Sequence, residues 1–349
     1  MRILALADDM TGALEVGAKF SANGIGSVVS TKPVQSALAQ AVVFDTETRH
    51  LSPELAAEEV KRFVLQSSAI CPSFVYKKTD SALRGNIAAE LKALAQLYPD
   101  WRIGYAPAYP ALGRTVKGGI LYVDGVAVAE TAFANDALNP VRTSAVSAML
   151  DPEFTCTIFD GEVDAHLEEA ARTILTDQSM RIAAGPGGLA GTLAEQIDIA
   201  RGAPPSLPAV RSCLVMNGSR HERSDIQMQH AEAPGWKIVK RSQNRNADAA
   251  DVANANGKYG VEQMAADDPD ALFVIGGDTA FAVIAALGLP PLWPIGEVVP
   301  GIPLTRIKLA DLKRSLPPRR RDLFLITKAG GFGEPEVFRH VRRILNIEH

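Results

Sequence analysis

Cysteine is scarce in this 349-residue chain, and the three present form no pattern. Cys71, Cys156 and Cys213 are far apart and odd in number, which fits neither a disulfide scaffold nor a zinc site. Cys213, beside Leu214-Val215-Met216, reads as core rather than as a nucleophile. The six histidines are scattered without a His-Glu-x-x-His pair, so no metal-ligand set is expected. Mg²⁺ held by carboxylates and phosphate would leave no such mark. Basic charge is also missing: a net charge of −4 argues against nonspecific nucleic-acid binding. No apolar run approaches a membrane span and no charged segment precedes an apolar one at the N-terminus. Neither nucleic acid nor membrane is expected as a partner, and the cytoplasm is the expected location. Finally, the P-loop, the Rossmann Gly-x-Gly-x-x-Gly and the protein-kinase motif set are absent. That disfavours an ordinary P-loop kinase and a dinucleotide-dependent dehydrogenase.

What the chain does have is an apolar content of 47% and enough length for two domains. Short apolar runs alternate with longer amphipathic stretches. Strands are expected at Ile3–Ala7, Ser27–Ser30, Ala41–Phe44, Phe74–Lys78, Ile103–Ala106, Arg181–Ala184, Leu214–Met216, Leu272–Ile275 and Leu323–Thr327. Helices are expected at Thr11–Ala22, Pro53–Gln66, Ile87–Leu97, Asp164–Leu175, Leu189–Ala200, Thr279–Leu287 and Glu334–Leu345. Such alternation predicts an α/β fold of two domains, each a largely parallel sheet flanked by helices. The Pro- and Gly-rich stretch Gly202–Pro208 marks the boundary, giving domains 1–207 and 208–349. Gln243–Gly260, rich in Asn, Asp and Ala, reads either as a frayed helix or as an exposed loop.

Chemistry-bearing residues gather just after the expected strands, where open α/β sheets bind ligands. After Phe74–Tyr76 come Lys77, Lys78, Asp80, Ser81 and Arg84, with Gly85 permitting close backbone approach. Two cations and an arginine fork beside a carboxylate suit an anionic, hydroxyl-rich ligand; the alternative is an ordinary ion pair on a solvated loop. Asp8 and Asp9 follow the first strand. One can cap the next helix, leaving the other to hold or deprotonate a hydroxyl, unless both only cap. Arg49 follows the third strand, as a carboxylate ligand or a solvated loop residue. In the second half, Asn217-Gly218-Ser219, Gly276-Gly277-Asp278-Thr279 and Ala329-Gly330-Gly331-Phe332-Gly333 each follow a strand, the last with Lys328 at the strand end. Three such turns can offer backbone amides to a polyphosphate.

Ala7–Ala13, Asp45–Leu51, Lys77–Asn86, Ala106–Asp124 and Gly276–Thr279 resemble, in order, the motifs of the four-carbon acid sugar kinases. The stretch Pro107–Thr115, continuing through Gly118–Gly125, is the most diagnostic. The resemblance spans nearly the whole chain and is strongest over residues 1–135. It implies phosphorylation of threonate, erythronate or 3-oxo-tetronate with ATP and Mg²⁺, the acid being held by the N-terminal domain and ATP by the C-terminal one. By motif, Asp8, Asp9, Arg49 and the Lys77–Arg84 turn would form the acid site. Asp8 or Asp9 would orient or deprotonate the hydroxyl, Arg49 and Arg84 would bind the carboxylate, and Lys78 would balance charge. Ser219, Gly276, Gly277, Asp278, Thr279, Gly330, Gly331 and Gly333 would form the ATP site. The chain departs from the family's usual Ser-Gly-Ser at Asn217, from Gly-Gly-Glu-Thr at Asp278, and from Ser-Gly-Asn-Phe-Gly at Ala329–Gly331. It also looks several dozen residues short between Ser219 and Gly276. These departures motivate a second reading, a sugar-acid-binding or regulatory homologue with impaired catalysis. The partners implied are a small sugar acid and ATP, and a homo-oligomer stays open.

Overall fold

The computed structural model describes residues 1–34, 39–150, 154–219, 221–239, 249–312, 316 and 321–345. The chain opens with β1 (Ile3–Ala7), α1 (Met10–Ala22), β2 (Ser27–Ser30), β3 (Ala41–Asp45) and α2 (Pro53–Gln66). β4 (Phe74–Lys78), α3 (Ile87–Leu97) and β5 (Ile103–Tyr105) follow. A small excursion then builds β6 (Arg114–Lys117), β7 (Ile120–Val123) and β8 (Val126–Ala127). The first half closes with α4 (Val146–Met149), β9 (Cys156–Ile158), α5 (Asp164–Thr176), β10 (Ile182–Gly185) and α6 (Gly187–Gln196). The second half begins with β11 (Cys213–Asn217), α7 (Glu222–Met228), β12 (Trp236–Val239), α8 (Ala249–Asp267) and β13 (Ala271–Ile275). It ends with α9 (Gly277–Ala286), β14 (Trp293–Val299), β15 (Ile302–Ile307), α10 (Leu309–Leu312), β16 (Leu323–Lys328) and α11 (Val337–Ile344).

The fold is α/β. The first sheet runs β2-β3-β1-β4-β10-β5-β9 with every pairing parallel. β1 is buried along its whole length, as expected where helices cover both faces. The chain moves from β1 towards β3 on one side and β4 on the other, so a crevice opens at the carboxyl ends of these three strands. The second sheet, β12-β11-β13-β16-β15-β14, is mixed. Its first four strands are mutually parallel, and β15 pairs antiparallel with both β16 and β14, so the sheet is largely parallel with an antiparallel edge. Pro294 and Pro303 within β14 and β15 hide these strands from a sequence reading, because proline disfavours regular ladders. Of the ambiguous stretch Gln243–Gly260, residues 243–248 lie outside the described residues, and 249–260 belong to α8. Gly202–Pro208 carries no regular structure and runs between the two sheets.

Helix α1 belongs to both sheets' packing. Its Gly17 lies so near Pro294 that an added Cβ would sit 2.6 Å from that ring, and Lys19 pairs with Glu297 at 2.6 Å. The edge strand β2 exchanges backbone hydrogen bonds with Leu292, Val29 N–H to its carbonyl at 2.8 Å and the reverse at 3.0 Å. One apolar core therefore runs from Leu4 and Phe20 through to Leu272 and Val283. Among the described residues no helix is long and apolar enough to cross a membrane.

Candidate active site

The two carboxylates after β1 do different things. Asp9 caps α1, accepting the Gly12 N–H at 2.8 Å and the Thr11 hydroxyl at 2.7 Å. Arg49, arriving from the end of β3, spans both aspartates. Its Nε donates to Asp8 and its Nη1 to Asp9, each at 2.7 Å, with Asp80 3.7 Å away. Burial works to raise the Asp9 carboxyl, but Arg49, then Lys78, then the two hydrogen bonds outweigh it and hold it at about 2. Asp9 is a fixed anion. Asp8 is 2% exposed, and its Oδ1 has no hydrogen-bond partner among the described residues.

Arg84 grips Asp80 through Nε at 3.2 Å and Nη2 at 2.8 Å, and reaches Asp136 at 3.3 Å. Burial pushes the Asp80 carboxyl up, but Arg84 and then Arg49 hold it far below the usual range. Both arginines expected to take the ligand's carboxylate are thus already occupied by the protein's own, and their visible work is to fix Asp8, Asp9 and Asp80. The pleat of β4 separates the two lysines. Lys78 faces Glu15, 3.9 Å away, while Lys77 is wholly buried on the other face and pairs with Glu90 at 3.1 Å. Glu90 also accepts the Thr48 hydroxyl. Lys77 therefore belongs to a core ion pair and not to the ligand site where the sequence placed it. Gly85, at φ 84°, packs behind Arg49.

Three turns of the second sheet face these residues. Gly276, at φ 107°, opens α9, a backbone conformation that favours glycine. Ser219 and Gly330 approach so closely that a Cβ on Gly330 would overlap the Ser219 hydroxyl. Lys328, buried at the end of β16, donates to the carbonyls of Ala329, Gly330 and Phe332 at 2.9–3.1 Å and so shapes the last turn. Burial, then the Arg223 charge, depress its amine to about 7. Gly331 and Gly333 are not among the residues lining the cavity between these turns and the first sheet, and a Cβ on them would meet His221 and Val337.

Between the two sets lies a cavity of ≈ 360 Å³. Asp8, Asp9, Thr11, Glu47, Arg49 and Arg84 line one wall, and Gly218, Ser219, Gly276–Thr279, Ala329 and Gly330 the other. Ser81 and Lys78 line a smaller adjoining cavity of ≈ 80 Å³. The sequence reading missed Thr11, Glu47 and the α8 residues Val252 and Ala253. Burial pushes the Glu47 carboxyl up to about 7, against a hydrogen bond with Asp45 and helped by Asp9 and Asp278. Asp9 and Glu47 on one wall and Asp278 on the other could share a divalent cation with phosphate oxygens. No ready-made cage of three or more metal ligands exists among the described residues.

Two family models match in sequence order, a sugar-binding N-terminal domain over residues 3–155 and a nucleotide-binding C-terminal domain over residues 226–338. A D-threonate kinase of Bordetella bronchiseptica is 27% identical over 392 residues, covering 95% of this chain and 94% of that protein. That alignment is longer than the present chain, as insertions in the relative require. A 3-oxo-tetronate kinase of Brucella melitensis is 22% identical, with 100% and 97% covered. A solved Haemophilus influenzae structure of 17% identity superposes with a TM-score of 0.71, covering 98% of this chain and 100% of that one. A Bordetella bronchiseptica structure, a domain-swapped dimer with bound citrate, is 26% identical with a TM-score of 0.52, covering 99% and 98%. Two domains matched in order, and kinase relatives aligned over nearly the whole length, make this chain a member of the four-carbon acid sugar kinase family.

Proposed function

We propose that the protein transfers the γ-phosphoryl group of ATP to a hydroxyl of a four-carbon sugar acid of the threonate, erythronate or 3-oxo-tetronate type. The observation carrying this reading is the ≈ 360 Å³ cavity, whose walls are the aspartate–arginine cluster of the first sheet and the glycine turns of the second. Residues 1–207 would hold the acid and 208–349 the nucleotide, a division supported by the two domain matches lying on either side of Gly202–Pro208. The names of the aligned kinases support the substrate class.

Phosphoryl transfer rests on positioning and charge stabilisation more than on covalent chemistry. Amides at the start of α9 and of the Ser219 and Gly330 turns would receive the phosphates. Asp9, Glu47 and Asp278 would hold Mg²⁺, which when bound neutralises charge on the transferring group. Asp8, with Oδ2 fixed by Arg49 and Oδ1 free, would orient the acceptor hydroxyl and take its proton. Lys78 would balance the charge of the bound acid. The test is an ADP-release assay with Mg·ATP and a panel of four-carbon acids, alongside calorimetric binding. Acid-dependent ADP release supports the kinase. Acid binding without ADP release would instead support the impaired, binding or regulatory homologue, and no binding of any four-carbon acid would sink both.

A further inference from the structure

The segment Tyr109–Arg114, the core of the most diagnostic stretch of sequence, has no role so far. It forms a tight pin. Tyr109 N–H donates to the Arg114 carbonyl at 2.7 Å and Arg114 N–H returns to Tyr109 at 3.1 Å, around a turn closed by Gly113 at φ 73°. The pin starts β6 and carries both side chains to the ≈ 80 Å³ cavity, which adjoins the larger one and shares Asp9, Thr11, Arg49 and Arg84 with it. The polar groups of this small cavity are unusually unsatisfied. Arg114 Nε and Thr327 Oγ1 are buried atoms without a hydrogen-bond partner among the described residues, while Tyr109 Oη and Glu15 Oε1, also buried, face each other without a well-formed hydrogen bond. Tyr109, Glu15 and Thr327 are 4%, 7% and 0% exposed. Buried polar atoms are normally paired, so two orphans and a poorly satisfied Tyr109–Glu15 pair around one cavity point to a polar ligand that completes them.

Charge identifies which part of that ligand goes there. Arg49 is held by Asp8 and Asp9, Arg84 by Asp80 and Asp136, and Lys78 faces Glu15. Arg114 makes no ion pair among the described residues, and its only protein acceptor is the Leu112 carbonyl. We propose that Arg114 is the anchor of the substrate carboxylate, with Tyr109, Glu15 and Thr327 completing the pocket for the adjacent hydroxyls. A planar fork with a free edge is the group that pairs best with a carboxylate. Burial is the largest influence on Arg114; Asp124 and Asp80 oppose it, but burial together with Arg223 and Arg84 still disfavours the cationic form, which an incoming anion would relieve. Thr327 comes from the second sheet, so recognition of the acid draws on both halves of the chain. This assignment rests on the sugar-acid kinase reading for its choice of ligand.

The experiment compares calorimetric binding of D-threonate with that of threitol, the same carbon skeleton lacking the carboxylate, to wild type, Arg114→Gln, Arg114→Lys and Tyr109→Phe. Arg114→Gln should weaken threonate binding about a hundredfold while changing threitol binding by less than about threefold. Arg114→Lys should recover part of the loss, and Tyr109→Phe should cost about fivefold for threonate. In the ADP-release assay the KM for ATP should not move. Equal losses for acid and polyol in Arg114→Gln, or unchanged threonate binding in a folded variant, overturn the assignment while leaving the kinase reading intact. A wild-type protein that binds none of the four-carbon acids removes the functional reading and this assignment with it.

Discussion

Replacing Asp8 by Asn separates chemistry from architecture. Asp8 gives one oxygen to Arg49 Nε at 2.7 Å and leaves the other unpaired. An asparagine can keep its carbonyl oxygen on Arg49 and turn its amide to the free side, so an ion pair becomes a hydrogen bond from the guanidinium to a neutral acceptor. That difference is about 1 kcal/mol, and Arg49 keeps Asp9 at 2.7 Å and Asp80 at 3.7 Å. For a chain of this size the melting temperature should drop by only about 1–2 °C. Loss of the base should lower kcat by about 10²–10⁴, equal to roughly 3–5 kcal/mol of barrier, so the kinetic effect dominates. The assay is steady-state ADP release with saturating acid and Mg·ATP, run beside a melting curve and calorimetric Kd values for both ligands. Asp9→Asn is the contrast. Asparagine caps a helix as well as aspartate, and a carboxyl held at about 2 is a poor base. This variant should need more Mg²⁺ for half-maximal rate but keep kcat within about tenfold at saturation. If folded Asp8→Asn turns over within tenfold of wild type, the assignment of the base is refuted.

Further expectations follow from other groups. Lys77→Met should leave the KM for both substrates unchanged yet cost about 3–5 kcal/mol of stability, because Glu90 would stay buried without its partner; denaturant unfolding measures this, and adding Glu90→Leu should restore part of it. Gly330→Ala should weaken ATP binding by calorimetry, since its Cβ overlaps the Ser219 hydroxyl, and leave binding of the acid alone intact. Glu47, at about 7 when folded and near 4.5 when unfolded, keeps its proton between those values only in the folded chain, so stability should fall as pH rises through that window. Mg·ATP binding at pH 6.5 should release up to about one proton, seen as a buffer-dependent calorimetric enthalpy that Glu47→Gln abolishes.

Where a strand is central, apolar and flanked by turns, its sequence is sufficient: β1 and β4 fall where expected, and so do the edge strand β2 and helices α2 and α3. The pattern fails where distant parts decide. Helix α8 contains Asn254, Asn256, Gly257 and Gly260, poor helix formers, yet Gly257 packs on Ala282 and Gly260 on Met216, so small residues are what that contact needs. Lys77 and Lys78 look equivalent in sequence, and only the pleat sends one to the core and the other to the site. Arg49 and Arg84 line the candidate cavity, but their partners were not legible, because Asp8, Asp9 and Asp136 reach them from separate strand ends and loops. Glu15 leaves a trace that a closer reading can use. It is a carboxylate on the otherwise apolar face of α1, and burying it calls for a partner or a ligand.

The way α1 sits between the sheets bears on how members of such a family can be recombined. Its Gly17, Lys19 and Ala22 meet Pro294, Glu297 and Gly296 of β14, and β2 is stitched to Leu292. A chimera joined at Gly202–Pro208, with the nucleotide-binding half of one homologue grafted onto the acid-binding half of another, would break that fit even though the cut crosses no helix or strand. The inherited seam is not the linker but the face of the first helix, and a graft should carry that face along with β14.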